Sequence, residues 1–206
     1  MRLRGAPIKL PDNTDACRGI VSNTGVRLAL PSDRLPLYRM LELYQHELSD
    51  IWDQDLDIHG EYGYPLDRYW GSKGWYPFVA TAFDKYAGFA LVNPAVRIGS
   101  EGYWMDQFFI VKKYRRQGIG RSLAKSLFSS LPGQWEVGQM PRNLPGQAFW
   151  RKVINECTDG RFKEHEIRTV GWQGIIQAFE STARPDDAEP SDGRAYPLLN
   201  PSSPSA

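Results

Sequence analysis

Residues 112–128 read KKYRRQGIGRSLAKSLF: four positive charges within five positions, two glycines flanking an isoleucine, then an apolar rhythm. Lysine and arginine side chains attract anions, and glycines let backbone N–H groups approach an anion without interference from a Cβ. An apolar, strand-like run from Phe108 to Val111 leads into the basic turn, and the helical spacing after it places the positive end of a helix dipole at the same point. The stretch therefore reads as an anion site, with Lys112, Lys113, Arg115, Arg116 and Arg121 supplying charge around Gly118 and Gly120.

Two common phosphate-binding patterns do not fit. A Walker loop needs Gly-x-x-x-x-Gly-Lys-Ser/Thr, which the chain lacks. A dinucleotide fingerprint needs a third glycine three residues after Gly120, and that place holds Leu123.

Metal and thiol chemistry find little support. The three histidines, His46, His59 and His165, show no ligand spacing, and DQDLD fails as a calcium loop because Ile58 and Tyr64 stand where glycine and glutamate belong. No metal is expected. Cys17 and Cys157 are too few for a disulfide framework, which suits a reducing cytoplasm. An acyl-cysteine route through Cys157 with His165 has only these two isolated residues behind it; a lone cysteine more often fills a core.

The elements that must position the basic turn follow from periodicity. VRLAL (26–30) reads as a strand, and Leu37, Met40, Leu41, Tyr44 and Leu48 share one face of a helix from Asp33, capped by Ser32 or Asp33. A loop-rich stretch, 49–76, carries a short helix near 66–70. PFVATAF, YAGFALVN and YWMDQFFIV then form an antiparallel meander, with a turn at Asp84-Lys85 between the first two. Ile119, Leu123, Leu127 and Leu131 mark a helix ended by Pro132-Gly133, followed by the strand QWEVGQM, a helix over about 146–154, and the strands RFKEHEIRT and GWQGIIQAF. The order βααβββαβαββ predicts a mixed α/β (α+β) domain: a mostly antiparallel sheet of about seven strands with helices on both faces.

The chain has 206 residues, 41% of them apolar, and a net charge of +1, which suits one globular domain and makes the basic cluster a local feature. Residues 1–23 read as a flexible arm, 24–180 as the folded body, and the Pro/Ser-rich 181–206 as a disordered tail. No apolar run approaches a membrane span and no leader h-region precedes Pro7, so the expectation is a soluble cytoplasmic protein without membrane contact. The aromatic content leaves room for a homodimer interface.

Arg115-x-x-Gly118-x-Gly120, directly after an apolar strand and opening an amphipathic helix, resembles the acetyl-CoA-binding motif of the GNAT N-acetyltransferase superfamily. The resemblance extends downstream, where Asn143, Ala148, Phe149 and Trp150 match the family's Asn…Ala-(hydrophobic)-aromatic segment on the following helix. The stretches LYQHELSDIWDQDLDIHGEYGYPLDRYW and FWRKVINECTDGRF also resemble a group of predicted GNAT acetyltransferases.

The resemblance implies acetyl-CoA as cofactor. Arg115, Arg116 and the amides of Gln117, Gly118, Ile119, Gly120, Arg121 and Ser122 would hold its pyrophosphate. The backbone of Phe108, Phe109 and Ile110 would pair with pantetheine, and Asn143 and Trp150 would line the same cleft. Asp106 stands about where related enzymes place a carboxylate that deprotonates the amine, with Glu101, Glu136 and His59 in reserve; capping the strand is the alternative role for Asp106. Trp150 departs from the family's usual tyrosine, and indole cannot protonate a leaving thiolate. It packs against pantetheine or belongs to the core.

Between His46 and Asp67 the chain carries seven acids and no lysine or arginine. With Trp52, Asp53, Asp57, Tyr62 and Tyr64 this segment would suit a small cationic amine as acceptor; a solvated acidic loop is the plainer account. The expected reaction is direct acetyl transfer to a primary amine of a small molecule. A non-catalytic acyl-CoA-binding domain and a nucleic-acid-binding module using residues 112–121 are the alternatives; balanced charge argues against nucleic acid.

Overall fold

The computed structural model describes residues 24–169 and 172–182. The chain runs β1 (Thr24–Leu28), α1 (Arg34–Trp52), α2 (Arg68–Gly71), β2 (Tyr76–Ala82), β3 (Lys85–Asn93), β4 (Tyr103–Ile110), α3 (Ile119–Ser130), β5 (Gly133–Gln139), α4 (Leu144–Thr158), β6 (Phe162–Thr169) and β7 (Trp172–Ser181). The seven strands form one sheet in the order β1-β2-β3-β4-β5-β7-β6. Every neighbouring pair is antiparallel except β4 with β5.

Helices cover both faces. Ile119, Leu123, Ala124, Leu127 and Phe128 of α3 and Trp150, Val153 and Ile154 of α4 pack beneath Ala80, Ala90, Met105 and Val137. Leu37, Met40 and Leu41 of α1, with Leu66 and Tyr69, cover Val79, Phe89, Leu91 and Phe109 on the opposite face. Truncating a fully buried leucine such as Leu123 in a core of this kind costs about 2–5 kcal/mol.

Helices α1 and α4 run longer than periodicity predicts. Helix α1 continues to Trp52 and stops where Asp53 turns left-handed at φ 53°. Helix α4 opens at Leu144 because Asn143 caps it, its side-chain oxygen accepting from the Gly146 N–H at 3.0 Å. The β2–β3 turn falls at Phe83-Asp84, one residue before the expected Asp84-Lys85. Both turn residues have positive φ, 51° and 57°, the geometry a two-residue hairpin loop needs to match strand twist.

Ser181 pairs with Gly133 as the last residue of β7, so the body reaches one residue into the stretch that composition assigns to the tail. The proposed arm, 1–23, and positions 183–206 lie outside the described residues, as does Cys17. Among the described residues no helix is long and apolar enough to cross a membrane, and no cluster of His, Cys, Asp and Glu is placed to hold a metal ion.

Candidate active site

Strand β4 touches β5 only along its first three residues. Tyr103, Trp104 and Met105 pair with Trp135, Glu136 and Val137, while β4 runs on to Ile110 beside β3 and β5 runs on to Gln139 beside β7. The sheet therefore opens as a V between them. The Val111 N–H donates to the Ala87 carbonyl at 2.9 Å, and antiparallel alternation from that bond turns the backbone of Phe109 toward β3. The N–H and C=O groups of Phe108 and Ile110 consequently point into the V.

The V ends at the basic turn. Gly118, at φ 83°, is the residue before α3, and a Cβ there would meet nothing within 4 Å, so the turn is open on that side. No side chain caps α3, which leaves the amides of its first turn without intrahelical partners. Arg116, Gln117, Arg121 and Ser122 surround it, Ile119 is buried beneath it, and Gly120 sits between Ile110 and Phe149.

The charged residues at this turn divide by use. Arg115 donates from Nε to the Ile110 carbonyl at 2.7 Å and grips the Glu47 carboxylate of α1 with both Nη groups, which holds that carboxyl below its ordinary range. Arg121 pairs with Glu156 of α4 at 2.6 Å. Lys112 and Lys113 are exposed. Asn143 is engaged as the α4 cap, and Trp150, 5% exposed, stands edge-on to Phe108 at 4.7 Å and to Phe149 at 5.0 Å. Trp150 thus lies in the core directly below the open part of β4.

On the other face of β4, Asp106 occupies a break in the β3–β4 register, where Leu91 faces Gln107 and Val92 faces Met105. The break turns its carboxylate toward α2 and the segment before it. Asp106 Oδ2 accepts from the Tyr69 hydroxyl at 2.6 Å and from the Tyr64 hydroxyl. The Asn93 amide in turn donates to Tyr69 at 3.2 Å. Burial, reinforced by the Asp106 charge, pushes both phenols well above their ordinary range, so they remain donors at any working pH.

The reserve bases are elsewhere or engaged. Buried Glu136 accepts from the N–H groups of Arg97 (2.6 Å), Ile98 (3.0 Å) and Gly99 (2.7 Å), while Glu101 and His59 are exposed. In the acid-rich segment, Tyr64 reaches Asp106, and Trp52 stands edge-on to Tyr44, which packs against Phe109. Asp57 accepts from the amides of its own loop at His59 and Glu61, and the Tyr62 hydroxyl meets His46 Nδ1 at 3.1 Å. Asp53 is exposed at the end of α1. The structure brings Tyr64 to Asp106; Trp52, Asp53, Asp57 and Tyr62 have other neighbours.

Tyr69 and Asn93 escape the sequence reading. Neither carries a local signal: Tyr69 reads as one aromatic of a short helix, and Asn93 as the end of a strand before proline. Arg97, Trp104 and Trp172 also meet near this face, with the Arg97 guanidinium 4.7 Å from the Trp104 ring centre and 5.3 Å from that of Trp172.

A family model described as the acetyltransferase (GNAT) family matches residues 37–154. No curated protein matches the chain in sequence. Among solved structures, an acetyltransferase from Thermus thermophilus is similar over 79% of this chain and 99% of its own, at 13% identity and a TM-score of 0.58. The protein yncA from Salmonella typhimurium, solved with its cofactor acetyl-CoA, is similar over 86% of this chain and 99% of its own, at 12% identity and a TM-score of 0.53. An aminoglycoside acetyltransferase in complex with coenzyme A is similar over 76% of this chain and 94% of its own, at 16% identity and a TM-score of 0.53. At such identities the likeness is one of fold.

Proposed function

The chain belongs to the acetyltransferase (GNAT) family, and from that premise we propose that it transfers an acetyl group from acetyl-CoA directly to a primary amine of a small acceptor. The observation that carries this reading is the V between β4 and β5, which leaves Phe108 and Ile110 without a strand partner on that side and runs into the uncapped, glycine-opened start of α3.

These residues fit acetyl-CoA. An open sheet edge suits the amide groups of pantetheine, and uncapped helix amides beside Arg116 suit a pyrophosphate. Gln117, Gly118, Ile119, Gly120, Arg121 and Ser122 would hold the phosphates through the backbone and Arg116 through its charge. Phe108 and Ile110 would pair with pantetheine, and Phe109, turned toward β3, backs them. Arg115 acts on the cofactor indirectly, by fixing the Ile110 end of the strand. Asn143 and Trp150 support the far wall of the cleft, the first by starting α4 and the second by packing under Phe108.

When bound, acetyl-CoA supplies the activated acyl group as a thioester. The chain's part is to orient the amine and take its proton. Asp106 is the proton acceptor in this reading: Tyr64 and Tyr69 bond to Oδ2, which fixes the carboxylate and directs Oδ1 to the incoming nitrogen. No phenol stands at Trp150, and a thiolate, a much weaker base than an alkoxide or an amine anion, departs without a dedicated donor. The exposed Asp53 and Asp57 favour approach of a positively charged amine.

Calorimetric titration with acetyl-CoA tests the cofactor. Saturable binding by the wild type and its loss in Gly120→Glu, at an unchanged denaturation midpoint, is the expected result. Absence of binding by the wild type would overturn the proposal.

A further inference from the structure

The loop between β3 and β4 carries an exposed arginine, Arg97, whose guanidinium lies beside two indole rings. Its main chain is pinned by the three amides that donate to buried Glu136. At its start, Asn93 Oδ1 accepts from the Ala95 N–H at 2.9 Å, while the amide group of the same Asn93 reaches Tyr69 in the Asp106 network. The Arg97 guanidinium then lies against Trp104 and Trp172, whose rings stand nearly perpendicular with centroids 6.1 Å apart.

The sheet leaves room for this arrangement. A Cβ on Gly138 of β5 would lie 2.4 Å from the Trp104 ring and 2.9 Å from that of Trp172, so only glycine admits both indoles there. Trp104 sits two residues before Asp106. Met105 between them packs into the opposite core, so Trp104 and Asp106 share one face of β4 beside the V. Among the described residues the Arg97 side chain has no carboxylate or carbonyl partner, whereas Arg27, Arg115, Arg121 and Arg151 each close an ion pair. A guanidinium held by aromatic rings has its N–H donors uncommitted, and their planar fork matches a carboxylate.

We propose that Arg97 holds a carboxylate of the acetyl acceptor, so that the substrates are amino-acid-like amines with an acid group near the nucleophilic nitrogen. This deepens the acetyltransferase reading above and rests on it. The ammonium end is drawn to Asp106 and the exposed acids after α1, and the carboxylate end to Arg97. A carboxylate fits better than a phosphate dianion, because a single guanidinium supplies one positive charge, and Asp106 on the same face of β4 and Glu136 beneath the loop add negative charge to the neighbourhood.

The test uses the full chain with acetyl-CoA and a panel of amino acids, each beside its carboxamide and the corresponding decarboxylated amine. Thiol release is followed in the wild type, Arg97→Gln and Arg97→Lys. The wild type should favour the carboxylate members at least tenfold in kcat/KM. Arg97→Gln should abolish that preference by raising KM for the carboxylate members far more than for the members that lack a carboxylate, and Arg97→Lys should retain part of it. Indole fluorescence of the CoA-loaded protein, titrated with the same panel, gives a second readout that needs no turnover, through Trp104 and Trp172.

Equal use of carboxylate and carboxamide members by the wild type, equal losses on both in Arg97→Gln, or no fluorescence response to any carboxylate would overturn the assignment. Calorimetry with acetyl-CoA on the same samples separates the two readings. Intact cofactor binding with an indifferent Arg97 refutes the carboxylate contact alone, and absent cofactor binding refutes the acetyltransferase reading beneath it.

Discussion

Arg115 and Glu47, 68 residues apart, meet in a two-pronged ion pair while Arg115 Nε also holds the Ile110 carbonyl at 2.7 Å. One side chain thus ties helix α1 to the end of β4, where the V meets the basic turn. The pair is partly exposed, so its net contribution to stability is small, about 0–1 kcal/mol. Its importance lies in placement. Glu47→Gln should change the urea midpoint little, whereas Arg115→Ala, which also frees the Ile110 carbonyl, should weaken acetyl-CoA binding by about tenfold, a loss of about 1.4 kcal/mol. Equal cofactor affinity in Arg115→Ala and wild type would refute a positioning role.

The Asp106 network makes a separable prediction about chemistry. Asp106→Asn should lower turnover by about 100-fold or more while leaving acetyl-CoA affinity intact, because a general base contributes on that scale and the residue lies on the acceptor face of β4. Tyr69→Phe removes one of the two donors to Oδ2 and should cost turnover less, about tenfold by the same reasoning. Full activity in Asp106→Asn would move the search for a base elsewhere.

Asp33 predicts an acid limb in stability. Its buried carboxylate accepts from Arg27 Nη2 at 3.0 Å, from the Leu30 N–H at 2.6 Å and from the Tyr86 hydroxyl at 2.6 Å. The Arg27 bond is the largest influence, and together these hold the carboxyl far below the usual carboxylate range. The folded value being depressed, the stabilisation is complete above the unfolded pKa of about 4 and drains away as pH falls toward the folded value. Asp33→Ala should cost about 3 kcal/mol at pH 7 by leaving charged and polar partners unmet, and the gap to wild type should narrow steadily below about pH 4. Urea unfolding at a series of pH values measures it; a gap independent of pH would contradict the assignment.

The β2–β3 turn offers a stabilising change. Phe83 is exposed and held at φ 51°, a conformation that asparagine and glycine adopt far more readily than phenylalanine. Phe83→Asn should raise stability by about 0.5–1 kcal/mol, read as a higher midpoint at unchanged activity. A loss of stability would mean that the ring makes a contribution its exposure does not suggest.

Local pattern determined a large part of this protein. The spacing of Ile119, Leu123 and Leu127 and the period-two runs before them make the element order legible, since helix and strand periods are properties of consecutive residues. The glycine turn at Gly118 and Gly120 is legible for the same reason: its special backbone geometry and the helix start lie within a few residues. Asp106 becomes a candidate base only through the resemblance to the GNAT family, in which a carboxylate stands at that point of the strand.

The contacts that give those residues a task were decided by tertiary structure. Tyr69 reaches Asp106 across 37 residues, Glu136 gathers the amides of Arg97, Ile98 and Gly99 from a neighbouring loop, and Trp172 comes to Arg97 only because β7 lies next to β5. Sequence spacing carries no information about such pairs, because strand order and the splay of β4 from β5 arise from the packing of two cores against one sheet. The acid-rich segment shows the same limit: its composition points to a charged wall, but whether each acid meets an arginine, an amide or solvent depends on which chain segments fold against it.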